Sequence, residues 1–145
     1  MITIEEIRSA YGRIKSYIVE TKIYSSEKLN NNYAANIFLK NEVEQLTGSF
    51  KIRGALSALS ALKEEGVEGV VAFSSGNHAQ GVSKAAQIFN MKSIIVMPKD
   101  APTNKIKKTK SNGAEVVLYK RHIESREEIA EKISEERGYP LVKPF

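Results

Sequence analysis

Apolar residues recur at helical spacing near the start of the chain, three or four positions apart, and so fall on one face of a predicted α-helix. These residues are Ile4, Ile7, Tyr11, Ile14 and Ile18. Thr3, followed three positions later by Glu6, predicts that the helix begins with a capping box. The pattern is weaker between this helix and residue 49. Three asparagines at residues 30–32 predict a loop, and the short apolar run at residues 37–39 predicts a strand.

Downstream of residue 49, short apolar runs alternate with longer amphipathic segments. The short runs are bounded by Gly, Pro or Asn and predict buried strands. The longer segments have apolar residues at helical spacing and predict helices. The predicted strands cover residues 70–73, 93–97 and 114–119. The predicted helices cover residues 50–65, 78–89, 103–111 and 125–137.

This alternation favours parallel βαβ units. We therefore predict an α/β fold in which a three-layer open parallel sheet is flanked by helices. Ligand sites in such sheets lie beyond the carboxyl ends of the strands, where loops meet helix N-termini. The rule directs attention to residues 74–78, which follow the first strand of the predicted sheet.

The composition is that of an ordinary globular chain, with 145 residues, 41% of them hydrophobic and 27% charged. No apolar run reaches the ~18 residues needed to span a bilayer, and the first residues lack the pattern of a secretory signal. The absence of cysteine excludes disulfides, thiolate zinc sites and a cysteine nucleophile. Together these features favour a cytoplasmic protein with no membrane partner.

The net charge of +5 raises the question of nucleic-acid binding. The densest basic group falls in one predicted helix and consists of Lys105, Lys107, Lys108 and Lys110. No aromatic residues are interspersed there, as a stacking platform for single strands requires. We interpret the group as a solvated helix face and predict no nucleic-acid partner.

Residues 74–81 read SSGNHAQG and join a predicted buried strand to a helix. Small residues let a ligand approach the backbone, and the unpaired N–H groups of a helix start can bind a carboxylate or phosphate. Asn77 adds a hydrogen-bond donor and acceptor, and the hydroxyl of Ser75 can transfer a proton. The alternative is that the serines and the asparagine only cap the helix.

Lys51 lies at the predicted start of another helix, after Thr47, Gly48 and Ser49, which suit a tight turn and a cap. The positive end of the helix dipole favours a neutral, nucleophilic amine. The alternative is a lysine exposed on a helix face, the usual environment of this residue type.

The two histidines are His78 and His122. His78 has no second candidate ligand close in sequence, so we predict no metal site. We expect His78 to support its loop through a hydrogen bond and His122 to be solvated. The chain lacks the G-x-S-x-G motif, which argues against a serine hydrolase.

Two motifs together resemble the serine/threonine dehydratase family of fold type II pyridoxal-phosphate enzymes. One is TGSFKIRGA at residues 47–55, and the other is SSGNHAQG at residues 74–81. Further matches follow in the same order and extend the resemblance over nearly the whole chain. They are Leu39-Lys40, Glu42, Gln45, Val96-Met97-Pro98, Ala101-Pro102, Lys105, residues 113–116 and Pro144-Phe145. Within the family the chain is most similar to the threonine ammonia-lyases, and the serine racemases are near relatives.

The resemblance implies pyridoxal 5'-phosphate as cofactor and the small domain of a tryptophan-synthase-β-like fold. It implies that Lys51 holds the cofactor as a Schiff base and then moves the substrate α-proton. Phe50 would lie beside the cofactor ring, and Asn77 would bond the ring hydroxyl. The residues implied to bind the substrate carboxylate are Ser75, Gly76, Asn77, His78 and Ala79.

The implied activity is an ammonia-lyase that converts L-threonine or L-serine to a 2-oxo acid and ammonia. Threonine dehydratases often have alanine at the position of Ser75, whereas racemases use a serine there as a second acid/base. A racemase-like activity therefore stays open, although Gly81 resembles the dehydratases. A non-catalytic α/β module that binds a carboxylate is a further alternative.

Family members are much longer, and this chain has no glycine-rich loop for the cofactor phosphate. We expect an N-terminal fragment that is inactive by itself, from an enzyme that is a homo-oligomer when complete. Residues 1–45 would belong to the large pyridoxal-binding domain and residues 46–143 would form the small α/β domain. Residues 144–145 would begin the return to the large domain. We also expect exposed apolar surface where the large domain would pack.

Overall fold

The computed structural model describes residues 1–144, so Phe145 and its assignment to a second domain lie outside the described residues. The helices are α1 (Ile4–Ile14), α2 (Glu27–Tyr33), α3 (Lys51–Glu64), α4 (Asn77–Ile88), α5 (Thr103–Ser111) and α6 (Arg126–Arg137), with a short 3-10 helix at Glu42–Glu44. The strands are β1 (Ile23–Ser25), β2 (Phe38–Lys40), β3 (Gly69–Phe73), β4 (Lys92–Pro98) and β5 (Glu115–Tyr119). Within the described residues, no helix is both long and apolar enough to cross a membrane.

The main sheet has the strand order β3-β4-β5, and both pairs are parallel. Leu141 adds an isolated parallel bridge to Val71, so the end of the described chain returns along the free edge of β3. Every predicted strand and helix downstream of residue 49 is present, with ends that shift by one or two residues. The predicted fold class, a parallel sheet flanked by helices, is confirmed.

Alternate residues of the strands enter two separate cores. Val70 and Ala72 of β3 pack in the core that includes buried residues of α3 and α4. Val71 and Phe73 face the opposite core, which includes Ala130 of α6. Because neighbouring side chains of a strand point to opposite faces, helices on both faces bury β3 and nearly all of β4, as the continuous apolar runs predict, whereas β5 stays partly exposed.

Helices α3 and α4 pack closely because α4 has a glycine at the contact. A Cβ atom placed on Gly81 would lie 3.1 Å from the carbonyl oxygen of Lys51 and 3.4 Å from the backbone nitrogen of Ile52. Glycine therefore allows the first turn of α3 to lie directly against α4.

The first helix is confirmed with its capping box, in which the side chain of Thr3 accepts from the Glu6 amide and that of Glu6 accepts from the Thr3 amide. The predicted apolar face is buried only at its C-terminal end. Ile14 is 5% exposed, whereas Ile4 and Ile7 are more than half exposed. Ile18 lies beyond the last helical residue.

The predicted loop at residues 30–32 is wrong, because these asparagines lie within α2. Ser26 caps this helix by accepting from the Leu29 amide at 3.5 Å. The side chain of Asn30 accepts from the Ile37 amide at 2.9 Å and so ties the helix to the following strand. The predicted strand near residues 37–39 is present as β2, which pairs antiparallel with β1.

Side-chain hydrogen bonds join the N-terminal segment to α3. Glu42 accepts two hydrogen bonds from the Arg53 guanidinium, at 2.7 and 2.8 Å, and one from the Thr21 hydroxyl at 2.7 Å. The amide of Gln45 bonds both the N–H and the carbonyl of Val19. Gln45 is 4% exposed, so these bonds lie inside the molecule.

Candidate functional site

Helices α3 and α4 begin within the two predicted motifs, and both start without a side-chain cap. The N-cap of α3 is Phe50 and that of α4 is Gly76, and neither has a side-chain cap hydrogen bond. The expectation that Ser49 caps α3 is wrong, and so is the alternative that serine and asparagine cap α4. Gly48 does form the predicted turn, with a φ of +69° that favours glycine.

The Lys51 amine lies at a pocket of about 240 Å³ near the start of α3. Its Nζ donates to the carbonyl oxygen of Pro144 at 2.9 Å and lies 5.0 Å from the centroid of the Phe50 ring. Phe50 is 58% exposed, which is unusual for a phenylalanine and leaves a free aromatic surface beside the amine. The alternative of an ordinary exposed lysine does not fit these contacts.

His78 lines the same pocket from the first turn of α4. Its Nε2 lies 3.1 Å from the carbonyl oxygen of Val142. A carbonyl only accepts, so Nε2 carries the hydrogen and Nδ1 is left as an acceptor. Burial lowers the pKa of His78 below its usual value of 6.5; the Val142 carbonyl opposes this shift, and the charge of Lys51 adds to it. The histidine therefore supports the site as a neutral hydrogen-bond donor.

Residues 74–77 form a tight turn between β3 and α4. The hydroxyl of Ser74 accepts from the Gly76 amide at 3.1 Å. Of the five predicted substrate-binding residues, only His78 lines the pocket at Lys51. Ser75 and Gly76 are half-buried and Asn77 is exposed, while Ala79 is fully buried in the core. Gly81 lies directly against the backbone of Lys51, so the two motifs are in contact at this point.

Asn77 has a partner that the sequence did not indicate. Its Oδ1 accepts from Nζ of Lys105 at 2.9 Å. Lys105 was expected to lie on a solvated helix face. Lys107, Lys108 and Lys110 are exposed as predicted, whereas Lys105 is half-buried and has a defined hydrogen-bond partner.

Two hydroxyls of the first motif are buried without a hydrogen-bond partner among the described residues. They belong to Thr47, which is 4% exposed, and Ser49, which is 8% exposed. Buried polar groups are normally hydrogen-bonded. The turn before Lys51 therefore contains two hydroxyls whose hydrogen-bonding capacity is unused within the described residues, and neither residue lines the pocket at Lys51.

Sequence reasoning missed the backbone groups that contact the predicted site. The carbonyls of Val142 and Pro144 are 64 and 93 residues away from the side chains that they bind. A main-chain carbonyl has no sequence signature, so no pattern could have revealed these contacts. The Lys105–Asn77 pair spans 28 residues, and its only signal was the place of both residues in the family resemblance.

Comparisons with known proteins agree on one family. The family model described as pyridoxal-phosphate dependent enzyme matches residues 14–145. The chain is 41% identical over 144 residues to the L-threo-3-hydroxyaspartate ammonia-lyase of Saccharomyces cerevisiae, covering 99% of this chain and 44% of that relative. It is 45% identical over 146 residues to the L-threonine ammonia-lyase of Thermotoga maritima, covering 100% of this chain and 36% of that relative.

The structure is similar to that of maize serine racemase, with a TM-score of 0.91 at 38% identity, covering 98% of this chain and 44% of that one. This similarity confirms the predicted tryptophan-synthase-β-like fold class. The chain spans less than half the length of each of these relatives.

Proposed function

The chain belongs to the pyridoxal-phosphate dependent enzyme family, and from this premise we propose that it contributes to an ammonia-lyase acting on a 3-hydroxy-amino acid. The observation that supports this most directly is the surroundings of Lys51. Its amine lies at a pocket between the Phe50 ring and His78, and its backbone contacts Gly81 of the second motif. Enzymes of this family depend on pyridoxal 5'-phosphate.

The residues present fit one half of that cofactor. An amine at a pocket and an exposed aromatic ring beside it suit the reactive end of a polar aromatic ring. We propose that Lys51 holds the cofactor, that Phe50 lies beside its ring and that Asn77 bonds the ring hydroxyl. The nine glycines are scattered along the sequence, so residues 1–144 offer no glycine-rich cradle for the phosphate.

The cofactor and the residues of the chain would have different roles in the reaction. Pyridoxal phosphate, when bound, supplies an electron sink for the substrate α-carbon. In our proposal, the Lys51 amine would hold the cofactor and, when substrate is bound, would accept the α-proton of the substrate. Backbone donors of residues 75–79 hold the substrate carboxylate at the positive end of α4. Loss of the α-proton and of the β-hydroxyl, together as water, would leave an enamine, and its hydrolysis by one water would yield a 2-oxo acid and ammonia.

A feature shared by the three relatives named above supports this substrate class. Hydroxyaspartate, threonine and serine, which appear in the relatives' names, all have a hydroxyl on the β-carbon. We propose threonine or serine for this chain, with 3-hydroxyaspartate as the third compound to test. A racemase-like activity is the second candidate, because the Ser75 hydroxyl adds a proton-transfer group that an alanine would lack.

We also propose that the whole active site needs more chain than these 145 residues. Residues 1–45 would belong to a large domain, and residues 46–143 would form the small domain. The contacts to the cofactor phosphate would come from parts of the enzyme outside these residues. The isolated chain would then bind the cofactor weakly and turn over substrate slowly or not at all.

Covalent trapping tests the site without requiring turnover. The chain is incubated with pyridoxal phosphate, reduced with borohydride, digested and mapped by mass spectrometry. We expect the adduct on Lys51, its loss in Lys51→Ala and its retention in Lys63→Ala, which removes an exposed lysine of the same helix. Equal labelling of exposed lysines, with no preference for Lys51, would contradict the assignment.

A further inference from the structure

Lys105 differs from the other lysines of α5 in burial and in contacts. It is half-buried, and its Nζ donates to Oδ1 of Asn77 across the gap between α5 and α4. Lys107, Lys108 and Lys110 are exposed. The side chain of Lys105 therefore has a defined place at the start of α4, beside the second motif.

This hydrogen bond fixes the polarity of the Asn77 amide. An ammonium group has three donors and no acceptor, so the atom that faces it must be the amide oxygen. The amide nitrogen Nδ2 is then directed away from Lys105 and remains a donor. Reversing the amide would place two donors opposite each other, which is unfavourable.

The charge of Lys105 is not cancelled by a nearby carboxylate. None of the ion pairs formed by residues 1–144 includes it. A positive charge is consequently available next to Asn77. A ligand atom bonded by Asn77 Nδ2 would be favoured if it were negatively charged.

We propose that Lys105 is a positioning residue, which holds Asn77 as a hydrogen-bond donor and keeps the oxygen that Asn77 binds in its ionised form. In the site proposed above, this atom is the ring oxygen of pyridoxal phosphate. The role of Lys105 toward the ring oxygen rests on the proposed function. The role of Lys105 in orienting the Asn77 amide is independent of the proposed function, because both residues belong to this chain.

The first measurement concerns the amide alone, by NMR of the 15N-labelled chain. The side-chain NH2 signals of Asn77 are assigned from their loss in Asn77→Asp. We expect Lys105→Met to shift these signals, Lys105→Arg to keep them near their original positions and Lys108→Met to leave them unchanged. Unchanged Asn77 signals in Lys105→Met would overturn the positioning role.

The second measurement concerns the ring oxygen. The chain is loaded with pyridoxal phosphate, and the absorbance of the Lys51-bound cofactor is followed as a function of pH. Removing a positive charge close to the ring oxygen favours its protonated form, so Lys105→Met should raise the titration midpoint by about 1 pH unit. Lys105→Arg and Lys108→Met should titrate as the wild type does.

The two measurements separate the two claims. Altered amide signals with an unchanged titration midpoint would overturn the role toward the ring oxygen and leave the Lys105–Asn77 contact in place. If borohydride trapping of the wild-type chain labels exposed lysines as readily as Lys51, the proposed function is contradicted. The amide signals still decide whether Lys105 positions Asn77. Far-UV circular dichroism of each variant verifies that it is folded.

Discussion

At the scale of single residues, burial changes the pKa of a histidine at the site. His78 is 7% exposed and keeps its pKa below 6.5 because burial penalises its charged form. Since the unfolded chain binds a proton more readily than the folded one, protonation near pH 6 must favour unfolding. The contribution of His78 to stability is therefore complete above about pH 6.5 and decreases as the pH falls below it.

A His78→Gln substitution tests this linkage. Glutamine can still donate to the Val142 carbonyl but does not titrate. We expect the free energy of unfolding of wild type to fall more steeply between pH 7.5 and 5.5 than that of His78→Gln, as measured by urea denaturation. His122→Gln, which changes the exposed histidine, should retain the wild-type slope. Equal slopes for His78→Gln and wild type would contradict the effect of burial.

A second prediction at this scale concerns Gly81. Its Cα faces the Lys51 carbonyl, and a methyl group there would lie 3.1 Å from the oxygen. We expect Gly81→Ala to destabilise the protein by about 1–3 kcal/mol, since overpacking forces backbone shifts, and to reduce trapping of the cofactor on Lys51. Thermal unfolding and borohydride trapping measure the two effects.

Gly54→Ala is the matched control for this prediction, because no atom lies within 4 Å of the added methyl group. Gly54 lies within α3, where alanine stabilises a helix by about 0.5–1 kcal/mol relative to glycine. A stability loss of the same size in both variants would show that close packing is not the cause.

At the scale of secondary-structure elements, the attachment of the N-terminal segment to α3 depends on Glu42. The pKa of the Glu42 carboxyl is lowered to about 2, mainly because it accepts hydrogen bonds from the Arg53 guanidinium. Both side chains remain partly exposed, at 18% and 28%, so solvent weakens the pair. We expect Glu42→Gln to cost about 1–2 kcal/mol at pH 7 in urea denaturation.

The pH dependence of this pair has the sign expected for a carboxylate with a lowered pKa. Its stabilisation is fully present above the ordinary pKa of 4.5 and disappears as the pH falls toward 2. The difference between wild type and Glu42→Gln should therefore shrink across this window. Glu136→Gln, which breaks an exposed pair with Lys132 at 3.9 Å, should change stability by less than about 0.5 kcal/mol at any pH.

At the scale of the whole molecule, exposed apolar side chains are distributed unevenly. Among the described residues 1–144, all the large exposed hydrophobic residues except Leu118 and Ile123 fall within residues 1–50. Phe38 and Val43 are each about 70% exposed. Concentrated apolar surface of this kind marks interaction sites or causes aggregation.

We expect the isolated chain to self-associate in a concentration-dependent manner, which sedimentation velocity would measure. The double variant Phe38→Lys with Val43→Lys should remain monomeric at higher concentrations than wild type. Ile123→Lys removes an apolar residue that is similarly exposed but lies outside residues 1–50, so it should have little effect on self-association. A wild-type chain that is monomeric at all concentrations would contradict the prediction.

The sequence by itself determined the elements of the α/β part of the chain and the identity of Lys51 as a site candidate. Strands β3 and β4 are buried on both faces, so they are continuous apolar runs, and the amphipathic helices have a period that a local pattern can reveal. The family motifs added the cofactor. The N-terminal segment was predicted less well. Strand β1 and the short 3-10 helix were not predicted, and α2, which has no buried residue, was misread as a loop, because it is held by the cap at Ser26 and the bond between Asn30 and Ile37.

Only the tertiary structure decided which groups meet at the site. It brought the carbonyls of Val142 and Pro144 to His78 and Lys51, and it paired Lys105 with Asn77. It also showed that α3 and α4 start without side-chain caps. The physical reason is that periodicity and capping are encoded within a few residues, whereas these contacts form only when the sheet brings distant segments together.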